Sequence, residues 1–211
     1  TFLISVMQGQ CNLYEISLEE QVAQSSQIVE GKVIAKQSFW DKNRQNIYTV
    51  NTIEVYKIFK GQSFETIEVI TEGGVVDLQA EVVNPSLELF IEDIGLFMLQ
   101  ANNIEFSIEN TSLLRKFKTF AATQGFYQYD IYDNIVINPF NRIEGISEHF
   151  YPTVTTLTST DYSQVTDFNI DNLLNGINES NSTLDAVSIS NFSPTTISGG
   201  TKSILTINGA G

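Results

Sequence analysis

The sequence predicts a mainly β protein with a small closed or partly open antiparallel barrel, one or two short helices, and the first hairpin of a second, sandwich-type domain. Three observations support this fold class. Apolar and polar residues alternate along several short segments, as in strands with one buried face. The longest of these segments changes its apolar phase, which indicates a bend. Only one clear helix-capping pattern occurs, and 42% hydrophobic residues in a chain of 211 suffice for a core.

The first predicted element is a short helix over residues 17–27. Ser17 is a suitable N-cap, and Glu20 follows at the spacing of a capping box. Residues 113–124 form either a helix or a strand that caps the barrel. The predicted strands are residues 28–36, 47–59, 66–71, 95–100, 103–109, 125–132 and 135–137. Asp133-Asn134 predicts a two-residue hairpin between the last two.

The phase change lies in the strand 47–59. Tyr48 and Val50 have one parity, whereas Ile53 and Val55 have the other. A bulge at Asn51-Thr52 would restore one inward face and add the curvature that a small barrel requires.

Composition divides the chain into four segments. We expect a signal-peptide remnant at 1–10, the β-barrel domain at 11–151, a connection rich in Ser, Thr and Asn at 152–186, partly extended and then loop-like, and the start of a second domain at 187–211. Residues 1–10 could instead be an ordinary N-terminal strand. The signal interpretation implies a secreted or cell-surface protein whose mature chain starts near Cys11, which would then be a free thiol, a lipidated residue or the N-terminus itself.

The segment 187–211 has an apolar strand, a Ser-Pro step, a Gly-Gly-Thr turn and an alternating strand that ends in Gly. This pattern resembles the first hairpin of an IPT/TIG domain, an immunoglobulin-like module. The matching residues are Ile189, Phe192, Pro194, Gly199, Gly200, Thr201, Leu205, Ile207 and Gly209. The match covers about 25 residues, so we expect a truncated IPT/TIG-like segment.

The main domain also carries a resemblance, over residues 28–33, 48–61, 73–74 and Leu99. It looks like the N-terminal domain of secreted multidomain proteins of Gram-negative bacteria, in some of which an IPT/TIG module and a matrixin-type zinc peptidase domain follow. A second likeness is to the netrin-like OB barrel of metalloproteinase inhibitors. Those inhibitors are rich in cysteine and this chain has one, so the likeness implies a common fold rather than a common function.

The charge of the chain argues against two classes of partner. With 25 acidic and 11 basic residues, the formal net charge is −14. Such a chain repels phosphate backbones and anionic lipid surfaces, so we expect no nucleic-acid partner. The apolar stretch at 1–10 is too short to cross a bilayer, and we expect no membrane span.

The sequence offers no constellation for catalysis, and we expect no catalytic residue, metal or cofactor. Its single histidine, His149, cannot supply the two imidazoles of a zinc peptidase. The strand glutamates have the solvent parity of their strands, which is typical of a hydrated exterior; they are Glu30, Glu54, Glu65, Glu68, Glu105 and Glu109. Two acidic clusters, around Asp130 and around Asp167, could bind calcium, but turn and capping roles are favoured.

Two groups of residues are candidates for contact with a partner. Trp40 lies in a polar loop with Lys42 and Arg44, where it could be an exposed anchor or could plug the barrel. An aromatic group could form a sugar-stacking or protein-binding patch, although barrel core and rim are favoured; it comprises Phe126, Tyr127, Tyr129, Tyr132, Phe140, Phe150 and Tyr151.

These observations lead to two functional hypotheses. The first is a non-catalytic binding or accessory module of a secreted or cell-surface protein, which contacts a protein, a carbohydrate or a downstream domain of its own chain. The second is an inhibitor or prodomain-like regulator of a metallopeptidase, in which the thiol of Cys11 would ligate the zinc.

Overall fold

The computed structural model describes residues 14–102, 104–106, 114–183, 188–193 and 206–210. The chain divides into two compact units, residues 1–168 and 169–211. The predicted signal remnant, residues 1–10, and Cys11 lie outside the described residues. No helix among the described residues is long and apolar enough to cross a membrane.

The first unit is built around a ring of five strands. They are β1 (Gln27–Trp40), β2 (Ile47–Lys60), β3 (Thr66–Glu72), β6 (Ile94–Ala101) and β7 (Lys116–Thr119). β1 pairs with β2, β2 with β3, β3 with β7, β7 with β6, and β6 again with β1, so the ring closes. The predicted small barrel is therefore confirmed, and its likeness to an OB barrel stays a prediction. Its one parallel pair, β3 with β7, departs from the expected antiparallel pattern.

Shorter elements extend the barrel. A hairpin of β4 (Gly74–Val76) and β5 (Gln79–Glu81) follows β3. β8 (Phe126–Asp130) pairs with β6 beside β7 and continues through β9 (Ile135–Ile137) to β10 (Arg142–Glu144). The predicted hairpin between β8 and β9 is therefore confirmed, but its loop has four residues because Asp130 pairs with Ile135. Residues 113–124 contribute strand β7 and a 3₁₀ turn, Ala122–Gly125.

The barrel core is apolar at one level and polar at the next. Its buried cluster comprises Val29, Val33, Ile53, Val55, Ile58, Ile67, Val69, Leu89, Phe97, Leu99, Phe117 and Phe126. On the same face of β2, Asn51 and Thr49 continue the interior, and the Nδ2 of Asn51 donates to Val69 O at 2.9 Å and to Thr71 Oγ1 at 3.1 Å. The interior thus becomes polar toward the end of the barrel where Thr49 and Thr71 pair.

This polar layer explains why the predicted bulge is wrong. Val33 pairs with Ile53 and Ala35 with Thr52, so the extra residue at this position is Ile34 on β1. The apolar phase of β2 changes because the strand is covered on both faces and its inner face turns polar at Asn51, not because the strand slips. Two further bulges in this pairing lie on β2 near its end, at Tyr56 and Phe59.

The first helix, α1 (Leu18–Gln24), is confirmed, and Ser17 Oγ accepts from the backbone N of Glu20 at 3.2 Å. Residues 152–186, expected to be extended and loop-like, instead form most of α2 (Tyr151–Thr158), a short strand β11 (Ser163–Gln164) and α3 (Ile170–Thr183). α2 follows a π turn, Ile146–Phe150. Tyr151 packs edge-on against Phe59 of the barrel, and such tertiary burial overrides the low helix propensity of threonine.

The second unit contains α3 and a two-stranded antiparallel sheet. Its strands are β12 (Ser188–Ser193) and β13 (Thr206–Ala210). Ser188 pairs with Ala210 and Ser193 with Thr206, so the predicted hairpin of residues 187–211 is present. Its identity as an IPT/TIG module stays a prediction.

Candidate functional site

The predicted contact residues lie at the junction of β1 and β2. Trp40 ends β1, pairs with Ile47 and is half-buried. Arg44 is exposed, with a φ of 54°. Lys42 is exposed, and its Nζ lies 2.7 Å from Glu105 Oε2, a contact that raises the pKa of Lys42 and lowers that of Glu105. The role of Trp40, Lys42 and Arg44 as a partner contact stays a prediction.

Asp41 organises this loop. Its carboxylate accepts from the backbone N of Gln45 at 2.8 Å and from Asn46 Nδ2 at 3.1 Å. These hydrogen bonds, above all the one from the backbone N of Gln45, hold the pKa of Asp41 below its usual value. The loop shape is therefore fixed by an acidic residue that the sequence did not single out.

An open groove of about 540 Å³ lies between the barrel and the β4–β5 hairpin. We call it the hairpin groove. One wall is formed by the ends of β1, β2 and β3, and the other by the hairpin and residues 82–89. Leu89 is buried in the barrel core and Leu87 packs against that core, so the second wall is anchored.

Glycine and small polar residues set the shape of the groove floor. Gly73 and Gly74 have φ values of 87° and 146° and turn the chain from β3 into β4. A Cβ on Gly74 would overlap the hydroxyls of Ser38 and Thr49. Those hydroxyls lie 3.0 Å apart, and Thr49 Oγ1 donates to Gly73 O at 2.8 Å. The hairpin therefore approaches the barrel closely only because position 74 has no side chain.

Exposed apolar side chains gather around the hairpin groove. Val75 is 63% exposed, Val82 is 91% exposed, and Leu78 at the hairpin tip is fully exposed. Phe90 and Ile91, just beyond the groove wall, are also more than half exposed. A group of this kind is typical of an interaction surface, because isolated monomers bury such side chains or scatter them.

The surroundings of the groove are acidic. Glu72, Glu81 and Glu88 line it, and Asp77 lies at the hairpin tip. The Glu81 carboxylate accepts a hydrogen bond from the backbone N of Ile47. Among the described residues of the lining, Lys36 is the one basic residue; its Nζ donates to the carbonyl of Leu89 and lies 5.2 Å from the Phe90 ring centre. The groove therefore favours a positively charged ligand.

The pKa of Tyr48 is affected by the same acidic residues. It pairs with Glu72 across β2 and β3. Burial raises the pKa of its hydroxyl, and the negative charges of Glu72, Asp41 and Glu81 raise it further. Negative potential therefore extends over this end of the barrel.

The predicted solvent positions of Glu30 and Glu68 are wrong. Glu30 is fully buried, and its Oε1 lies 2.6 Å from Lys57 Nζ. Its Oε2 accepts from Tyr151 OH and, at 3.2 Å, from Tyr129 OH. Glu68 is also buried, with its Oε2 3.1 Å from Lys116 Nζ. Strand parity failed at Glu30 because Tyr129 of β8 and Tyr151 of α2 cover the outer face of β1.

Lys57 is enclosed by aromatic rings as well. Its Nζ lies 5.2 Å from the ring centres of Tyr151 and Phe168 and 5.8 Å from that of Tyr162. β11 pairs with β2 at Lys57 and Ile58 and so holds this segment over the cation. We call Glu30, Lys57, Tyr129 and Tyr151 the buried ionic network. The one sequence signal for it is a lysine inside the apolar run 55–59.

The predicted aromatic group does not form a surface patch. Five of its seven members are buried, namely Phe126, Tyr127, Tyr129, Phe150 and Tyr151. Tyr132 and Phe140 remain exposed. The favoured interpretation, barrel core and rim, therefore holds for most of the group.

His149 and the acidic cluster around Asp130 have structural partners. The Nδ1 of His149, an exposed residue, lies 3.0 Å from the carbonyl oxygen of Glu144. Asp130 Oδ1 accepts from the backbone N of Tyr132 and of Asp133, as in a turn. Among the described residues, no three His, Cys, Asp or Glu side chains gather to hold a metal ion.

Comparisons with known proteins leave the site to be interpreted from its own chemistry. No family model matches the chain, and neither a curated protein nor a solved structure does.

Proposed function

We propose that this chain is a non-catalytic binding module of a secreted or cell-surface protein, and that it binds a segment of a protein partner in the hairpin groove. The observation that carries the proposal is the concentration of exposed apolar side chains around an open groove. The export of the protein is proposed from the signal-like residues 1–10, and its place beside a peptidase domain from the resemblance of residues 28–99.

The chemistry of the groove favours a protein over a carbohydrate. Sugar sites commonly present aromatic faces for stacking. The described residues that line the groove include valine, leucine, alanine and small polar residues but no aromatic ring. Aliphatic side chains beside a strand hairpin suit the backbone and side chains of a peptide.

Peptide display tests the proposal. A random twelve-residue library is panned on the full chain, and the affinities of selected peptides are measured by fluorescence anisotropy. We expect Leu78→Ser and Val82→Ser to weaken binding at least tenfold, because these side chains are exposed and their contact with the peptide is lost. Tyr132→Ser, which removes an exposed aromatic residue on the β8–β9 loop, is the matched control. Binding that survives both groove substitutions would disprove the groove as the site.

A further inference from the structure

We infer that the segment bound in the hairpin groove is an extended basic peptide that adds a third strand to the outer edge of β5. This inference rests on the proposed function and specifies its ligand.

The β4–β5 sheet has an edge that no described strand covers. β5 pairs with β4 on one side, and no other described strand pairs with it. Val76 pairs with Gln79 and Val75 with Ala80, so the pair closes around a two-residue turn. In such a ladder, alternate residues direct their N–H and C=O groups away from the partner strand. Ala80 therefore presents its backbone groups to an incoming strand.

The two faces of the hairpin differ in a way that fixes how a peptide would lie. Val75, Ala80 and Val82 share one face and are exposed. On the other face, Val76, Glu81 and Val83 are half-buried. A strand added beside β5 would extend both faces. Its apolar side chains would cover the exposed valines, and every second residue would point to the opposite face.

Charge selects the class of peptide. The acidic residues around the groove are Glu72, Asp77, Glu81 and Glu88, while Lys36 is engaged by Leu89 and Phe90. A peptide with lysine or arginine at alternate positions would meet these carboxylates. A second copy of this chain would not, because two molecules with a net charge of −14 would bring like charges together at the paired edges.

Binding of defined peptides to the full chain tests the inference. The probe is a fluorescein-labelled eight-residue peptide of alternating Lys and Val, compared with a peptide of alternating Glu and Val. We expect the Lys-Val peptide to bind at least tenfold more tightly, and to weaken as salt is raised. Equal binding of the two peptides, or no binding of either, would disprove the inference that the ligand is basic. The proposed function would still stand if peptides from the display experiment required Leu78 and Val82.

Backbone methylation separates strand addition from attraction between charges alone. Two further Lys-Val peptides carry N-methyl groups on the odd or on the even amides. We expect one set to lose binding at least tenfold and the other to bind like the parent, because only one edge of the added strand faces β5. Equal behaviour of the two sets would overturn strand addition.

Charge-neutral variants test the acidic residues. We expect Glu72→Gln and Glu88→Gln each to weaken the Lys-Val peptide severalfold. Glu144→Gln, an exposed glutamate on β10, is the matched control and should leave binding unchanged. Equal affinities for all three variants and the parent would show that these carboxylates do not recognise the peptide.

Discussion

The buried ionic network makes a strong prediction about stability. Lys57 is 4% exposed at its side chain, and Glu30 is not exposed at all. Substituting Glu30→Gln keeps the shape of the side chain and its capacity to accept from the two tyrosines, but it removes the negative charge that compensates Lys57. The barrel would then hold an unpaired buried cation.

The expected loss follows from the contacts that remain. Breaking a buried ion pair from one side costs about 3–5 kcal/mol. Three aromatic rings lie 5.2 to 5.8 Å from Lys57 Nζ and offset part of this cost, by about 1 kcal/mol. We therefore expect Glu30→Gln to lower the free energy of unfolding by about 2–4 kcal/mol. Lys57→Met should cost less, about 1–3 kcal/mol, because two tyrosine hydroxyls still donate to Glu30.

Urea denaturation measures both losses. Trp40 is the only tryptophan in the sequence, so its fluorescence reports the unfolding of the barrel unit. With an m value of about 2 kcal/mol/M, Glu30→Gln should lower the urea midpoint by about 1–2 M. The double variant should lose less than the sum of the single losses, by at least about 1 kcal/mol.

The exposed pair of Lys42 and Glu105 serves as the control. Its 2.7 Å separation matches that of the buried pair, but both side chains are in solvent. Glu105→Gln should leave the urea midpoint unchanged. The reasoning fails if Glu30→Gln shifts the midpoint no more than Glu105→Gln, or if the losses in the double variant simply add.

Three other predictions concern separate parts of the fold. Gly31→Ala should lower the free energy of unfolding, measured in the same urea experiment, by at least about 2 kcal/mol, because a Cβ would overlap the carbonyl oxygen of Glu54. An unchanged free energy of unfolding would contradict the close approach of β1 and β2. Ser17→Ala should lower the free energy of unfolding by about 1 kcal/mol, since the backbone N of Glu20 loses its acceptor. Ser17→Asp should keep the stability of the parent, because aspartate is also a good N-cap. Burial, together with the charge of Glu30, raises the pKa of Tyr129 well above its usual value, so its stabilising effect is complete below about pH 10 and declines above it, as tyrosine in the unfolded chain ionises. Urea titrations at pH 9 to 11.5 should therefore show that Tyr129→Phe loses stability less steeply than the parent above pH 10, by up to about 1.4 kcal/mol per pH unit; parallel curves would refute the burial of that hydroxyl as a neutral group.

Local signals were enough for most elements. The capping pair Ser17 and Glu20 placed α1, and alternation placed β1, β2, β3 and β8. The continuous apolar run 95–100 correctly indicated a strand covered on both faces, since Leu96 to Leu99 are all buried. These features depend on neighbours in sequence, which is why they could be predicted.

Threonine-rich residues 151–158 show where local signals failed. Their intrinsic preference does not favour a helix, yet Tyr151 and Val154 are buried and the segment forms α2. Tyr151 of this helix and Tyr129 of β8 cover the outer face of β1, so Glu30 is buried although its parity indicated solvent. Neither the helix nor the burial of Glu30 could be predicted from one segment of sequence, because each depends on which distant segment packs against it.

In the candidate site, too, one part could be predicted from the sequence and another could not. The sequence singled out the loop of Trp40 because a tryptophan among polar residues is visible in one dimension. The hairpin groove went unnoticed, because Val75, Leu78 and Val82 are ordinary apolar residues whose exposure is set by the fold. Exposure is a property of the assembled surface and has no local signature.

The sequence by itself determined the fold class, most strands, the first helix and the acidic character of the chain. Alternation, capping and net charge are local or additive properties, so they can be predicted from the amino-acid sequence alone. Only the tertiary structure decided which charges are buried, how the ring of strands closes, and where exposed apolar side chains surround a groove. These depend on contacts between residues far apart in the chain, such as Glu30 with Tyr151, and on which face of each strand is left uncovered.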